Sequence, residues 1–116
     1  MAEAPLEKKI KVLMAASKRI QKEYLAYKNE IQLFENAIQG IEDNEENALK
    51  LKKQNELLVE SKSMLPNTFQ RLEEINQKLI DQVVELGMMN EELTEQAQQC
   101  IDQTQLFLNQ INPAMI

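Results

Sequence analysis

PLEKKIKVLMAASKRIQKEYLAYKNEIQLFENAIQG, residues 5–40, decides the fold. Leu6, Ile10, Leu13, Ser17, Ile20, Tyr24, Tyr27, Ile31, Phe34, Ile38 and, just beyond, Ile41 follow one another at alternating spacings of 4 and 3. Only Ser17 in that series is neither apolar nor aromatic. The alternation sets every member on one stripe of an α-helix, the a and d positions of a coiled-coil seam. Pro5 suits the first helical position, where its missing N–H is not needed. Gly40 suits the position just past the helix end, where a left-handed conformation is expected. The stretch predicts a helix over about residues 5–39, roughly 50 Å long at 1.5 Å per residue. An element of that length cannot wrap around a small spherical core, so the expected molecule is a rod.

Downstream, Asp43-Asn44-Glu45-Glu46 reads as a turn followed by acids at a helix start. Asp43 or Asn44 can cap, and the acids favour the positive end of the helix dipole. A second helix over about 44–86 carries Leu51, Asn55, Leu58, Lys62, Leu65, Phe69, Leu72, Asn76, Leu79, Val83 and Leu86 at the same spacing. That stripe crosses Pro66 without losing register. Proline in a helix interior removes a hydrogen bond and clashes with a carbonyl, at about 3 kcal/mol. A kink or short break is therefore expected near 62–67. Gly87 ends the helix, and Met88 is placed to fold back on Val83. Asn90 caps a third helix over about 91–111, with Glu91 and Glu92 in its first turn. Its stripe is Leu93, Ala97, Cys100, Thr104, Phe107 and Ile111, and Pro113 stops it. Short connections force neighbouring helices antiparallel. The expected fold is all-α: one domain over 1–116, an elongated, coiled-coil-like antiparallel three-helix bundle with its second helix kinked at Pro66.

Composition supports this and excludes much else. Aromatic residues are 4% of the chain, with 2 Gly and 3 Pro, as suits long helices around a narrow seam. The net charge of −6 is uneven: six basic residues and no acid lie between Lys8 and Lys22, and no basic residue follows Lys78. Such asymmetry marks either an electrostatic partner site or a basic face neighbouring acidic ones. Nothing aromatic is interleaved with the lysines for base stacking, and the acidic remainder repels phosphate, which argues against nucleic acid. No apolar run approaches the roughly 18 residues of a membrane span, and Met1–Pro5 lacks the regions of a signal peptide. A lone Cys100, read as a small core residue, points to a reducing compartment.

Chemistry is hard to find. With no His and one Cys, zinc and di-iron sites lack their ligands. Gly40 and Gly87 stand alone, so no phosphate loop exists. The acid pairs Glu45/Glu46, Glu73/Glu74 and Glu91/Glu92 diverge by about 100° on a helix and read as solvated. An all-helical pocket for a dicarboxylate calls for several arginines, and the chain has only Arg19 and Arg71. The reading is a binding protein that is not an enzyme and needs no cofactor.

One stretch is more specific than heptads explain. Residues 52–67, KKQNELLVESKSMLPN, followed by Arg71-Leu72-Glu73, resemble the central segment of the tubulin-binding cofactor A family, also called tubulin-specific chaperone A. Ile10-Lys11-Val12, Lys18-Arg19-Ile20, Lys22-Glu23 and Tyr27 resemble that family's first helix in order and spacing. The resemblance implies a cytoplasmic, cytoskeleton-associated chaperone, monomer or homodimer. It would capture β-tubulin and pass it toward heterodimer assembly without nucleotide hydrolysis, other tubulin-folding cofactors being further candidate partners. The expected contact residues are Lys11, Lys18, Arg19 and Lys22 on the first helix, and Glu60, Ser61, Lys62, Met64, Pro66 and Arg71 around the expected kink. The competing reading is an oligomeric coiled-coil scaffold or tethering subunit, with Ser17, Asn55, Lys62 and Asn76 as polar positions that set register.

Overall fold

The computed structural model describes residues 4–112. Three helices make up the fold, α1 (Pro5–Gln39), α2 (Ala48–Leu86) and α3 (Glu91–Ile111), and there is no strand among the described residues. Pro113, the expected stop of α3, lies outside them.

The chain divides into two compact units. One is the hairpin Lys22–Thr68, made from the second half of α1 and the first half of α2. The other joins the first half of α1, the second half of α2 and all of α3. In this three-helix unit the register reads directly from side-chain pairs. Asn90 Nδ2 donates to Glu7 Oε2 (3.3 Å), the Ser17 and Thr104 hydroxyls meet at 2.7 Å, and Ile20 packs with Leu108 and Leu72. Rising numbers on α1 meet rising numbers on α3, so these two run parallel, with α2 antiparallel to both.

The three-helix unit has a closed core. Ile10, Leu79, Leu86, Leu93, Ala97, Cys100 and Ile101 form one cluster, and Ile20, Leu72 and Leu108 a second. Fully burying a side chain of leucine size contributes about 1.5–3 kcal/mol. Between the clusters lies a polar layer. Gln21 Nε2 donates to both Ser17 Oγ and Thr104 Oγ1 at 3.2 Å, and Asn76 Nδ2 reaches the Ile101 carbonyl at 3.5 Å. The α3 stripe is broader than its heptad spacing predicts. Ile101 and Leu108 are buried although off the stripe, because α3 faces two helices at once.

The hairpin unit is packed differently. Its only fully buried residues are Tyr24, Ser61 and Thr68, and none is aliphatic. Tyr27, Ile31, Phe34, Ile38, Ile41, Leu51, Leu58 and Leu65 are all half-buried. The α2 stripe also shifts here. Leu51, Leu58 and Leu65 keep their side, but Gln54 and Ser61 take the intervening positions assigned to Asn55 and Lys62, and Thr68 is buried beside Phe69, which stays half-buried against Ile20, Leu72 and Leu108. Lys62 stays at the surface because an ammonium resists desolvation; Asn55 bonds its own helix at the Leu51 carbonyl, 2.9 Å away.

Three local expectations change, and a fourth, the kink or short break at Pro66, loses its second alternative. α2 starts at Ala48, not near residue 44: Asn44 caps a tight turn, its Oδ1 accepting from Asn47 N (2.9 Å), so Glu45 and Glu46 precede the helix. Asn47 Nδ2 then donates to the Glu42 carbonyl (2.9 Å) and closes the loop. No break occurs at Lys62–Asn67; α2 is helical through Pro66. Gly40 is not left-handed, since Gly87 (φ +58°) is the only residue of positive φ among those described. α1 ends instead with Ile41 N donating to the Ile38 carbonyl (3.1 Å), a tightened turn open to any residue. Met88 does not fold back on Val83 but is 80% exposed, since Leu86 and Leu93 already close that end of the core.

The glycine contrast is testable by urea denaturation. A Cβ at Gly40 meets only the Ala37 and Asn36 carbonyls, at 3.6 and 3.7 Å. Gly40→Ala should therefore raise stability by about 0.4–1 kcal/mol. Gly87→Ala, forced into the left-handed region, should lower it by about 1–2 kcal/mol. In the polar layer, Ser17→Ala or Thr104→Val alone should cost about 1–3 kcal/mol by orphaning a buried hydroxyl. The double variant should recover most of that loss; strictly additive losses would show that the two hydroxyls do not act as a pair.

Candidate partner-binding surface

The helical repeat sets which chemistry-bearing side chains meet. In the hairpin, Tyr27 and Glu30 of α1 face Leu57, Glu60, Ser61 and Met64 of α2 around a depression of about 460 Å³. The floor is half-buried carbon from Tyr27, Leu57 and Met64, and Glu30 and Glu60 are exposed beside it. Of the residues expected here, Glu60 and Met64 reach the depression, and Ser61 lies in its wall, 6% exposed. Lys62 turns away to Glu35, Nζ to Oε1 3.8 Å. With side-chain exposures of 54% and 41%, that ion pair is worth well under about 1 kcal/mol. Pro66 is exposed on the outer side of α2, and Arg71, also exposed, belongs to the three-helix unit.

Tyr27, Glu30 and Leu57 were not among the expected contact residues. Tyr27 was legible as a seam position. Leu57 lies off the heptad stripe and gives no sequence signal. Leu25, Leu33, Leu49 and Val59 add exposed apolar surface to the same unit, at 53%, 60%, 79% and 66%. Burial pushes the Tyr24 phenol above its usual range.

The basic residues of α1 do not form one face. Lys11 lies in a shallow site with Asn90, Glu92, Leu93 and Gln96, and Lys18 in another with Gln96, Gln99 and Gln103, so both look toward α3. Lys8 and Lys9 look toward α2. Arg19 and Lys22 are exposed, and Lys11 and Arg71 already engage other groups within the chain.

Among the described residues, no three His, Cys, Asp or Glu side chains gather to hold a metal ion. Cys100 is buried in the core of the three-helix unit. No helix of the described residues is long and apolar enough to cross a membrane. What the molecule offers is surface: a half-covered apolar seam, flanked by charge, on long helices.

The profile of one family, described as tubulin binding cofactor A, matches residues 5–101. That span takes in all of α1, all of α2 and the first half of α3. No curated protein and no solved structure matches the chain. The chain belongs to the tubulin binding cofactor A family, whose members are tubulin-binding cofactors with a chaperone role.

Proposed function

We propose that this chain captures β-tubulin and passes it toward heterodimer assembly, by surface contact alone and without nucleotide hydrolysis. The observation that carries the proposal is the hairpin unit, whose apolar seam is half-buried along its length and holds no fully buried aliphatic side chain. A two-helix seam left open in this way has the form of a groove for a third, amphipathic helix. Each half-covered leucine, isoleucine or phenylalanine retains roughly 1 kcal/mol of burial still to be gained. Family membership supplies the class of partner.

In this mechanism the captured chain lays an apolar surface on Tyr27, Leu57 and Met64, while Glu60 contacts its polar edge and Lys62, turned toward Glu35, meets it outside the depression. Ser61, being small and buried, lets the partner approach the seam closely. Pro66 shapes the exposed surface one turn further on, leaving the Lys62 carbonyl without its helical donor. Lys22 of the hairpin, and Lys11, Lys18, Arg19 and Arg71 of the three-helix unit, offer further contacts by charge. Release needs no chemistry, because a contact spread over many weak half-burials exchanges when a better-fitting partner arrives. The setting is the cytoplasm, alongside the microtubule cytoskeleton and the other tubulin-folding cofactors. A second copy of the chain is the competing occupant of the same open seam.

Gel filtration with freshly refolded tubulin separates these. Co-elution with β-tubulin but not α-tubulin is expected. Elution alone as a larger oligomer, with no tubulin, would instead mean a scaffold that covers its seam with itself. Leu57→Asp with Met64→Asp should weaken capture about tenfold or more while circular dichroism stays helical, since neither side chain belongs to the closed core. Unchanged capture by that variant would move the contact elsewhere. Lys18→Glu with Arg19→Glu should weaken capture in low salt more than in high salt, because exposed charges are screened.

A further inference from the structure

A second surface lies in the three-helix unit. Pro5, Lys8, Lys9, Val12 and Leu13 of α1 meet Lys78 and Gln82 of α2 around an open groove of about 540 Å³. Its walls are almost entirely carbon: the proline ring, Val12, Leu13 and the methylene stems of the lysines. Val12 is 60% exposed there. Three ammonium groups stand around this apolar floor, and no carboxylate lines the groove. None of the three lysines pairs with a carboxylate among the described residues. In a chain of net charge −6, three unpaired lysines around one apolar groove is a local inversion of sign.

We infer that this groove is a docking site for an acidic, amphipathic peptide segment. Carboxylates on one edge of the segment reach the ammonium groups of Lys8, Lys9 and Lys78. An aliphatic or aromatic side chain on its other edge covers Val12 and Leu13. Lysine suits this arrangement, since its stem packs on carbon while its head stays in water and reaches toward charge. A duplex nucleic acid matches the charge but leaves the apolar floor uncovered. A flat anionic membrane matches both less well, because the lysines rim a concave groove and stand on no apolar helix face. The identity of the protein that supplies the segment rests on the function proposed above: there it is the captured tubulin chain, gripped at a second point, in the three-helix unit.

The full chain, labelled with ¹⁵N, would be titrated with a synthetic peptide bearing glutamates on one face and leucines on the other. Amide shifts at Val12, Leu13 and Lys78 and at the Gln82 side-chain amide are expected, with affinity falling as salt rises. The triple variant Lys8→Glu, Lys9→Glu, Lys78→Glu should weaken peptide binding about tenfold or more. The triple arginine variant should retain it. Unchanged affinity in the triple glutamate variant would overturn the site. So would shifts confined to Lys18–Lys22 or the hairpin, or tighter binding at the groove by an oligonucleotide or an anionic phospholipid vesicle. The two proposals fail separately. If wild type co-elutes with β-tubulin and the triple glutamate variant captures it equally well, the groove is not a second grip and the functional proposal stands. If wild type captures no tubulin yet binds the peptide through these lysines, the groove stands and its partner is another protein.

Discussion

A helix can bury only as much of its apolar stripe as it has neighbours to cover, and everything else in this protein follows from that constraint. α1 and α2 carry seams of 35 and 39 residues, whereas α3 supplies 21. All of α3 belongs to one unit. There Ile10, Leu72 and Leu79 reach zero exposure and the core closes. In the hairpin the same spacing of the same residue types yields only half-burial. Closed core and open seam are thus drawn from one continuous pattern, and the number of helices present decides which of the two a given residue joins.

The polar layer in the closed unit gives that core its alignment. Ser17, Gln21 and Thr104 share one hydrogen-bonded cluster, and Asn76 of α2 lies buried nearby with a long contact to the Ile101 carbonyl. Leucine seams are permissive about sliding by one heptad; a hydroxyl that must find its partner is not. A shift of α3 by one heptad would set Ser17 against carbon and orphan Thr104. Asn76 Oδ1 is already without a donor, so the layer trades some stability for a single alignment.

Charge follows a similar division of labour. The basic run of α1 looks continuous in sequence, but a 100° turn per residue scatters it over two sides of one helix. Lys11 and Lys18 look to α3, and Lys8 and Lys9 join Lys78 of α2. A partner therefore meets basic groups on separate surfaces, each beside apolar side chains of a different kind.

By itself the sequence determined the three helices, the caps at Asn90 and Gly87, the α1 seam and the family, because these depend on local periodicity, turn chemistry and short motifs. The seam of α2 through Leu51, Leu58, Leu65 and Leu72 was legible for the same reason. Only the tertiary structure decided that Ser61 and Thr68, and not Lys62, turn inward, since that depends on which face α1 presents and on the cost of desolvating an ammonium. It alone put Ile101 and Leu108 in the core, because a helix facing two neighbours buries a wider sector than any heptad describes. It alone brought Lys78 and Gln82 beside Lys8 and Lys9, about seventy residues away in sequence. Such long-range meetings are set by helix register and direction, which no single helix encodes.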